Sequence, residues 1–314
     1  MARRRATTYP IATRSFKVRV EDFGAPPAET DSFTRFWNGL PHILAADSLR
    51  NVVTAIQSAR DKGKPVVFAF GAHVLKTGLA PLLVDLLRRD YLTAFATNGA
   101  SGIHDFEVAF HGKTSEDVGA VLEDGSFGMS RETGVNVFRA LREGRERDEG
   151  YGRALGSFIA GSRYPYKELS LFAAAAAARV PLTVHVAVGT DTLAQHPGMD
   201  GALVGEMSYR DFQTIQGVIA QLGDGGVWIN AGSSVILPEV FLKALSLSRN
   251  LGHDVKRFTT VDLDMIRHYR PAENVLKRPT LAGGRSYALT GHHEILLPLL
   301  AQALVLGLGK GGAA

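Results

Sequence analysis

Pro65-Val-Val-Phe-Ala-Phe-Gly-Ala-His-Val-Leu-Lys-Thr-Gly78, Pro81-Leu-Leu-Val-Asp-Leu-Leu-Arg-Arg89 and Leu92-Thr-Ala-Phe-Ala-Thr-Asn-Gly-Ala-Ser-Gly-Ile-His-Asp105 follow one another along the chain. Two short apolar runs each end at a loop containing Gly, His, Lys or Asn, and an amphipathic helical pattern lies between them. That is a strand, helix, strand unit. Ligands of open parallel sheets sit beyond the carboxyl ends of the strands, so Gly71–Gly78 and Asn98–Asp105 are expected to line one pocket.

Outward from this unit the alternation continues. Helical spacing runs from Phe33 to Arg60, with Asp47 or Ser48 placed to cap a second helix. A helix over Phe106–Phe110 is expected to hold His104, Asp105 and Glu107 in its first turn. Thr114-Ser-Glu-Asp117 reads as an N-cap. Val135 to Phe158 is a strongly charged helical stretch expected to face solvent, and Tyr166 to Arg179 is a helix whose six consecutive alanines suit close packing. Leu182–Val188 is a strand ended by Gly189-Thr-Asp-Thr192. Tyr209–Leu222 is a helix, Gly226–Asn230 a strand with Ala231-Gly-Ser-Ser as its exit, and Pro238–Asn250 a proline-started helix. Arg257–Val261 is a strand closed by Asp262 and Asp264. Arg267–Pro279 reads as a long irregular loop, Ser286–Leu289 as a short strand, and Ile295–Leu306 as a helix. This alternation predicts a doubly wound, mainly parallel α/β sheet of Rossmann type. Residues 1 to 31, poor in periodic apolar positions, read as an extended N-terminal arm suited to wrapping a neighbour, and residues 32 to 314 as a single α/β NAD-binding-like domain.

Composition narrows the function classes. At 314 residues and 45% hydrophobic content the chain can bury a full core. The net charge of +4 owes much to Arg3, Arg4 and Arg5, read as a solvated basic tail. No basic stripe with interleaved aromatics follows it, so no nucleic-acid partner is expected. The chain has no cysteine, which excludes disulfides, thiolate metal sites and cysteine nucleophiles. No signal-peptide pattern or uncharged apolar run of membrane length appears, so a cytoplasmic protein without membrane contact is expected.

Candidate chemistry gathers at the strand ends. Gly71-Ala-His-Val-Leu-Lys76 has the composition of a phosphate-cradling turn but matches neither the dinucleotide fingerprint nor a P-loop. Thr97-Asn-Gly-Ala-Ser-Gly102 offers small residues and a helix N-terminus, which suits a pyrophosphate; a tight turn needing glycine is the plainer alternative. The imidazoles and carboxylates of His104, Asp105, Asp191, His196, His253, His268, His292, His293 and Glu294 lack the spacing of a metal site on one helix face, so no metal is expected. His185, inside an apolar strand, reads as a satisfied core histidine. No Gly-x-Ser-x-Gly elbow supports a serine hydrolase.

At these residues the sequence resembles the deoxyhypusine synthase family. Gly71–Gly78 stands where that family has its first nucleotide loop, and Thr97-Asn-Gly-Ala-Ser-Gly-Ile-His-Asp105 resembles its Thr-Thr-Ala-Gly-Gly-x-Glu-Glu-Asp loop. Asp191, Asn230-Ala-Gly-Ser-Ser234, Arg270-Pro-x-Glu273 and the closing Leu297-Pro-Leu-Leu helix follow in the family's order. The resemblance implies a Rossmann-like core binding NAD, held by Gly71, Ala72, His73, Lys76, Thr97, Asn98, Gly99, Ala100, Asp105, Asp191, Ala231, Gly232 and Ser233. It also implies a homotetramer with active sites at an interface. The family reaction oxidises spermidine with NAD, passes an aminobutyl group to an enzyme lysine as an imine, and delivers it to a lysine of a translation initiation factor.

Here the polyamine-transfer residues depart from that pattern. Aligned through Arg270-Pro271 and Glu273, the family lysine falls on Pro279 and its stacking tryptophan on Lys277. The histidine after the triple-glycine loop falls on Leu237, the second of the paired acids on His104, and the late nucleotide-contacting aspartate near His292. The expectation is therefore an NAD-dependent transferase or oxidoreductase acting on a small amine or a protein lysine, and not a conventional deoxyhypusine synthase. In it His104, His292 and His293 serve as acid or base while Asp191 and Glu273 hold a cation. The alternatives are aminobutyl transfer through Lys277 and a non-catalytic nucleotide-sensing or scaffold protein on the same fold.

Overall fold

The computed structural model describes residues 6–309; Arg3, Arg4 and Arg5 lie outside them. The arm passes through two short 3-10 turns, Ile11–Thr13 and Val20–Asp22, exposed along nearly its whole length. It then meets α1 (Phe33–Gly39), where Ala25 N–H donates to Gly39 O. There follow α2 (Leu44–Asp61), β1 (Val66–Phe70), α3 (His73–Lys76), α4 (Ala80–Arg88), β2 (Ala94–Thr97) and α5 (Gly99–His111). After them come α6 (Val118–Val121), α7 (Arg131–Glu146), α8 (Tyr151–Ala160), α9 (Leu171–Ala178), β3 (Leu182–Val184) and α10 (Gly201–Ile219). The chain closes with β4 (Val227–Ala231), α11 (Ile236–Asn250), β5 (Thr259–Asp264), a π-helical segment Pro271–Lys277, β6 (Arg285–Thr290) and α12 (His293–Val305).

All pairings in the six-stranded sheet are parallel, in the order β3-β2-β1-β4-β5-β6. The expected doubly wound fold is therefore the observed one. Alternation along the strands separates two cores, since successive side chains point to opposite faces. Val66, Phe68 and Phe70 of β1 join Phe95, Val227 and Ile229 beneath α2, α4, α5, α7, α8, α9 and α12. Val67 and Ala69 join Ala94, Ala96 and Trp228 beneath α10 and α11, where Phe241 stacks on Trp228 with ring centroids 4.3 Å apart. The alanines on this second face leave room for the large rings of the facing helices.

Several local expectations are corrected. The helix after the second loop starts at Gly99, because Asn98 caps it by accepting Ser101 N–H at 3.1 Å. Residues 135 to 158 form two helices, and α7 buries Val137, Phe138, Ala140 and Leu141; its charges occupy only the outer face. The pair approaches closely: a β-carbon on Gly144 would lie 2.1 Å from Ala154 Cβ. Strand β3 ends at Val184, and α10 begins at Gly201, capped by Asp200. Asp262 and Asp264 lie within β5, buried, since all six of its residues pair with β6. The segment 267 to 279 is largely a π-helix, held by Asn274 and Arg270 bonding Glu239 of α11. The alanine helix α9 does pack tightly, with Gly156 of α8 set against Phe172 O and Ala176.

Candidate active site

Strand order puts two distinct places at the carboxyl edge of the sheet. Between β1 and β4 the connections diverge to opposite sides, the position where such folds bind ligands. Here that crevice is filled. Gly71 N–H donates to Ala231 O, and a β-carbon on Gly71 would stand 2.3 Å from Gly232 O. The buried ring of His293, from the first turn of α12, lies against Gly232 and bonds Leu263 O through Nε2 at 3.0 Å. The ring of His73 meets it edge-on at 5.9 Å.

The open cleft lies beside it, over the ends of β2 and β3. It encloses about 400 Å³ and draws Lys76 from the first loop, Ala100, Ile103, His104 and Glu107 from α5, and Gly189, Asp191 and Thr192 from the β3 exit. Its far wall is the segment between α5 and α7, through Glu116, Phe127 and Gly128, continued by Thr133 in the first turn of α7. A cleft of this size suits a small-molecule site.

A hydrogen-bonded chain runs along one wall. His104 Nδ1 lies 2.6 Å from Thr114 Oγ1, and that hydroxyl donates to Glu107 Oε2 at 2.6 Å. Thr133 Oγ1 reaches Glu107 Oε1 at 3.1 Å. Burial first, and the Lys76 ammonium second, hold the His104 imidazole below its ordinary range. Opposite, Asp191 caps the turn that follows it by accepting Leu193 N–H, and burial pushes its carboxyl up. Asp191 Oδ2 stands 2.0 Å from where a β-carbon on Gly99 would be, so glycine at 99 is what admits this carboxylate to the start of α5.

The sequence-predicted residues therefore fall into three groups. Lys76, Ala100, His104 and Asp191 line the cleft, with Gly99 directly behind Asp191. Gly71, Ala72, His73, Ala231, Gly232, Ser233 and His293 lie at or flank the closed β1–β4 junction, where Ser233 Oγ accepts Leu237 N–H. The remainder are used elsewhere. Thr97 is buried, bonded to Phe70 O and Ser101 Oγ, and Asn98 is occupied as a helix cap. Asp105 lies beneath α9, where it accepts Leu171 N–H at 2.8 Å and the Ser170 hydroxyl; burial raises its carboxyl to about 7. Lys277 pairs with Glu273 at 3.2 Å on the exposed side of the π-helix, and Glu273 also faces Arg278. His292 is exposed and faces Glu294. None of Thr97, Asn98, Asp105, Lys277, Glu273 and His292 lines the cleft. His185 is buried, bonded to Thr183 Oγ1, and held near 4 by desolvation.

Sequence reasoning does not single out Thr114, Glu107 or Thr133 as site residues. The three-residue spacing of His104 and Glu107 does place both on one helix face, whereas nothing in the sequence announces that Thr114 returns to them. Among the described residues no cluster of three or more histidines and carboxylates is arranged to hold a metal ion, and no helix is long and apolar enough to cross a membrane.

No family model matches the chain. A segment of 69 residues is 39% identical to a protein of Sulfolobus acidocaldarius named "Probable deoxyhypusine synthase", and it amounts to 21% of this chain and 22% of that one. The match thus spans about a fifth of that relative. A structure from Entamoeba histolytica, described as a "putative deoxyhypusine synthase", superposes with a TM-score of 0.50 at 11% identity over 90% of this chain and 96% of its own. The chain is deoxyhypusine-synthase-like in that segment and in fold. AgrE in complex with ornithine and NAD+ shares the fold with a TM-score of 0.52 at 16% identity, over 86% of this chain and 35% of AgrE. At these identities the structural likeness concerns the fold alone.

Proposed function

We propose that this chain is an NAD-binding enzyme of the deoxyhypusine-synthase-like fold, a transferase or oxidoreductase acting on an amine, with its chemistry in the cleft over β2 and β3. The observation that carries the reading is the convergence there of His104, Asp191 and Lys76. The residues fit a dinucleotide by their chemistry. Asp191 is an acceptor for a ribose diol, Lys76 is a cation for phosphate, and the first turn of α5 adds a helix N-terminus. NAD, when bound, supplies the hydride acceptor for oxidising a carbon beside nitrogen. AgrE, a neighbour in fold, is described as holding ornithine with NAD+, a pairing of amine and dinucleotide of the same kind.

The same geometry argues against aminobutyl transfer through Lys277. That lysine lies outside the cleft in an ion pair with Glu273, and the family position falls on Pro279. Among the described residues Lys76 is the one lysine lining the cleft. Soluble self-assembly into a tetramer, with a partner completing the cleft, belongs to this proposal. Titration calorimetry with NAD tests it: the wild type should bind, Asp191→Asn should bind more weakly, and His104→Gln should keep binding while losing amine-dependent NAD reduction. Absence of any heat of binding at modest salt refutes the reading.

A further inference from the structure

The hydroxyl of Thr114 has one proton and two neighbours. A carboxylate only accepts hydrogen bonds, so the proton goes to Glu107 Oε2 at 2.6 Å. Toward His104 the same oxygen can then only accept, and the ring nitrogen facing it, Nδ1 at 2.6 Å, must carry the imidazole proton. The lone pair is left on Nε2, for which no hydrogen-bond partner occurs among the described residues. Glu107 is itself fixed from its other oxygen by Thr133 at the start of α7.

Sequence separation makes this arrangement specific. His104 and Glu107 share a face of α5, but Thr114 comes after the helix has ended. Gly112, with φ of +75°, turns the chain back so that Thr114 returns to the helix it has just left. The ring of Tyr166 packs 2.7 Å from where a β-carbon on Gly112 would sit, which leaves that turn to glycine alone.

We infer that Thr114, itself held by Glu107, is the positioning residue that fixes His104 as the Nδ1–H tautomer and so presents Nε2 to the cleft as a general base. This deepens the reading above and rests on it for the class of substrate. One proton passes from a substrate ammonium or hydroxyl to Nε2. The imidazolium that results keeps its Nδ1–H bond to Thr114, and the Glu107 carboxylate stands two hydrogen bonds away as counter-charge. The charged groups facing His104 across the cleft are Lys76, Glu116 and Asp191. Burial first, and Lys76 second, disfavour the charged form of the resting ring, and the carboxylates receive a cationic substrate.

The test is the tautomer itself, read on the full chain labelled with ¹⁵N-histidine by long-range ¹H–¹⁵N correlation at neutral pH. The His104 signal is assigned as the one missing from His104→Gln. The expected wild-type pattern is Nδ1 protonated and Nε2 bare, with Thr114→Val losing it and Thr114→Ser restoring it. A wild-type ring protonated on Nε2 overturns the inference with no variant needed, as does an unchanged pattern in a folded Thr114→Val. Calorimetry with NAD reports separately on the functional reading. An Nδ1–H ring in a protein that ignores NAD sinks the enzyme proposal and leaves the positioning role standing.

Discussion

Replacing Asp211 by asparagine should change how the stability of this protein depends on pH. Asp211 projects from α10 with 2% of its surface exposed. Its Oδ2 accepts Gly152 N–H at 2.8 Å and Val184 N–H at 2.6 Å, tying the start of α8 and the end of β3 to one carboxylate. Burial raises its pKa from 3.8 to about 7, against the smaller pull of those two donors. Between these values the folded state keeps a proton that the unfolded state has released. Stability therefore falls as pH rises through that window, and the loss is complete above it. At about 1.4 kcal/mol per unit, the interval from pH 5 to pH 8 removes roughly 3 kcal/mol. An asparagine carbonyl can accept from both donors and carries no charge, so the variant should escape this loss. Asp105, raised to about 7 for the same reason, imposes a parallel slope. His185, held near 4, acts oppositely: its contribution is present above about 6.5 and is lost as pH falls toward 4. The comparison must therefore be between variant and wild type at each pH. Urea unfolding at pH 5 and pH 8 is the assay, with unchanged m-values required. The variant should gain about 3 kcal/mol on the wild type between the two conditions. Parallel pH dependence in the two proteins would refute the buried-carboxylate account.

Gly99→Ala places a methyl group 2.0 Å from Asp191 Oδ2. The carboxylate end can swing away, so melting temperature should change little while NAD affinity in calorimetry falls several-fold. Gly71→Ala meets backbone instead, Gly232 O at 2.3 Å, and should lower stability in urea by ~2 kcal/mol or more as the β1 and β4 exits are forced apart. Lys277→Ala removes an exposed i,i+4 pair with Glu273 and should cost about 0.5 kcal/mol or less, with NAD binding and amine-dependent turnover intact. Loss of turnover in that folded variant would favour aminobutyl transfer through Lys277.

The sequence by itself determined the layered α/β architecture. Short apolar runs such as Val66–Phe70 and amphipathic stretches such as Ala80–Arg88 carry their own periodicity, and that periodicity is local. It also located the strand ends where polar residues gather, because Gly, Asn and His interrupt apolar runs visibly. What it left open was which strand ends are neighbours. The order β3-β2-β1-β4 sets Asp191 beside Gly99 and across the cleft from His104, while it sets His293 into the β1–β4 junction. Asp105 and His104 are adjacent in sequence, yet a helix turns consecutive residues about 100° apart, sending one under α9 and the other into the cleft. The Thr114–His104–Glu107 chain depends on a left-handed turn at Gly112 and on Thr133 arriving from another helix. Those contacts exist only once separate elements have packed, so tertiary structure alone decided which of the many histidines and carboxylates meet.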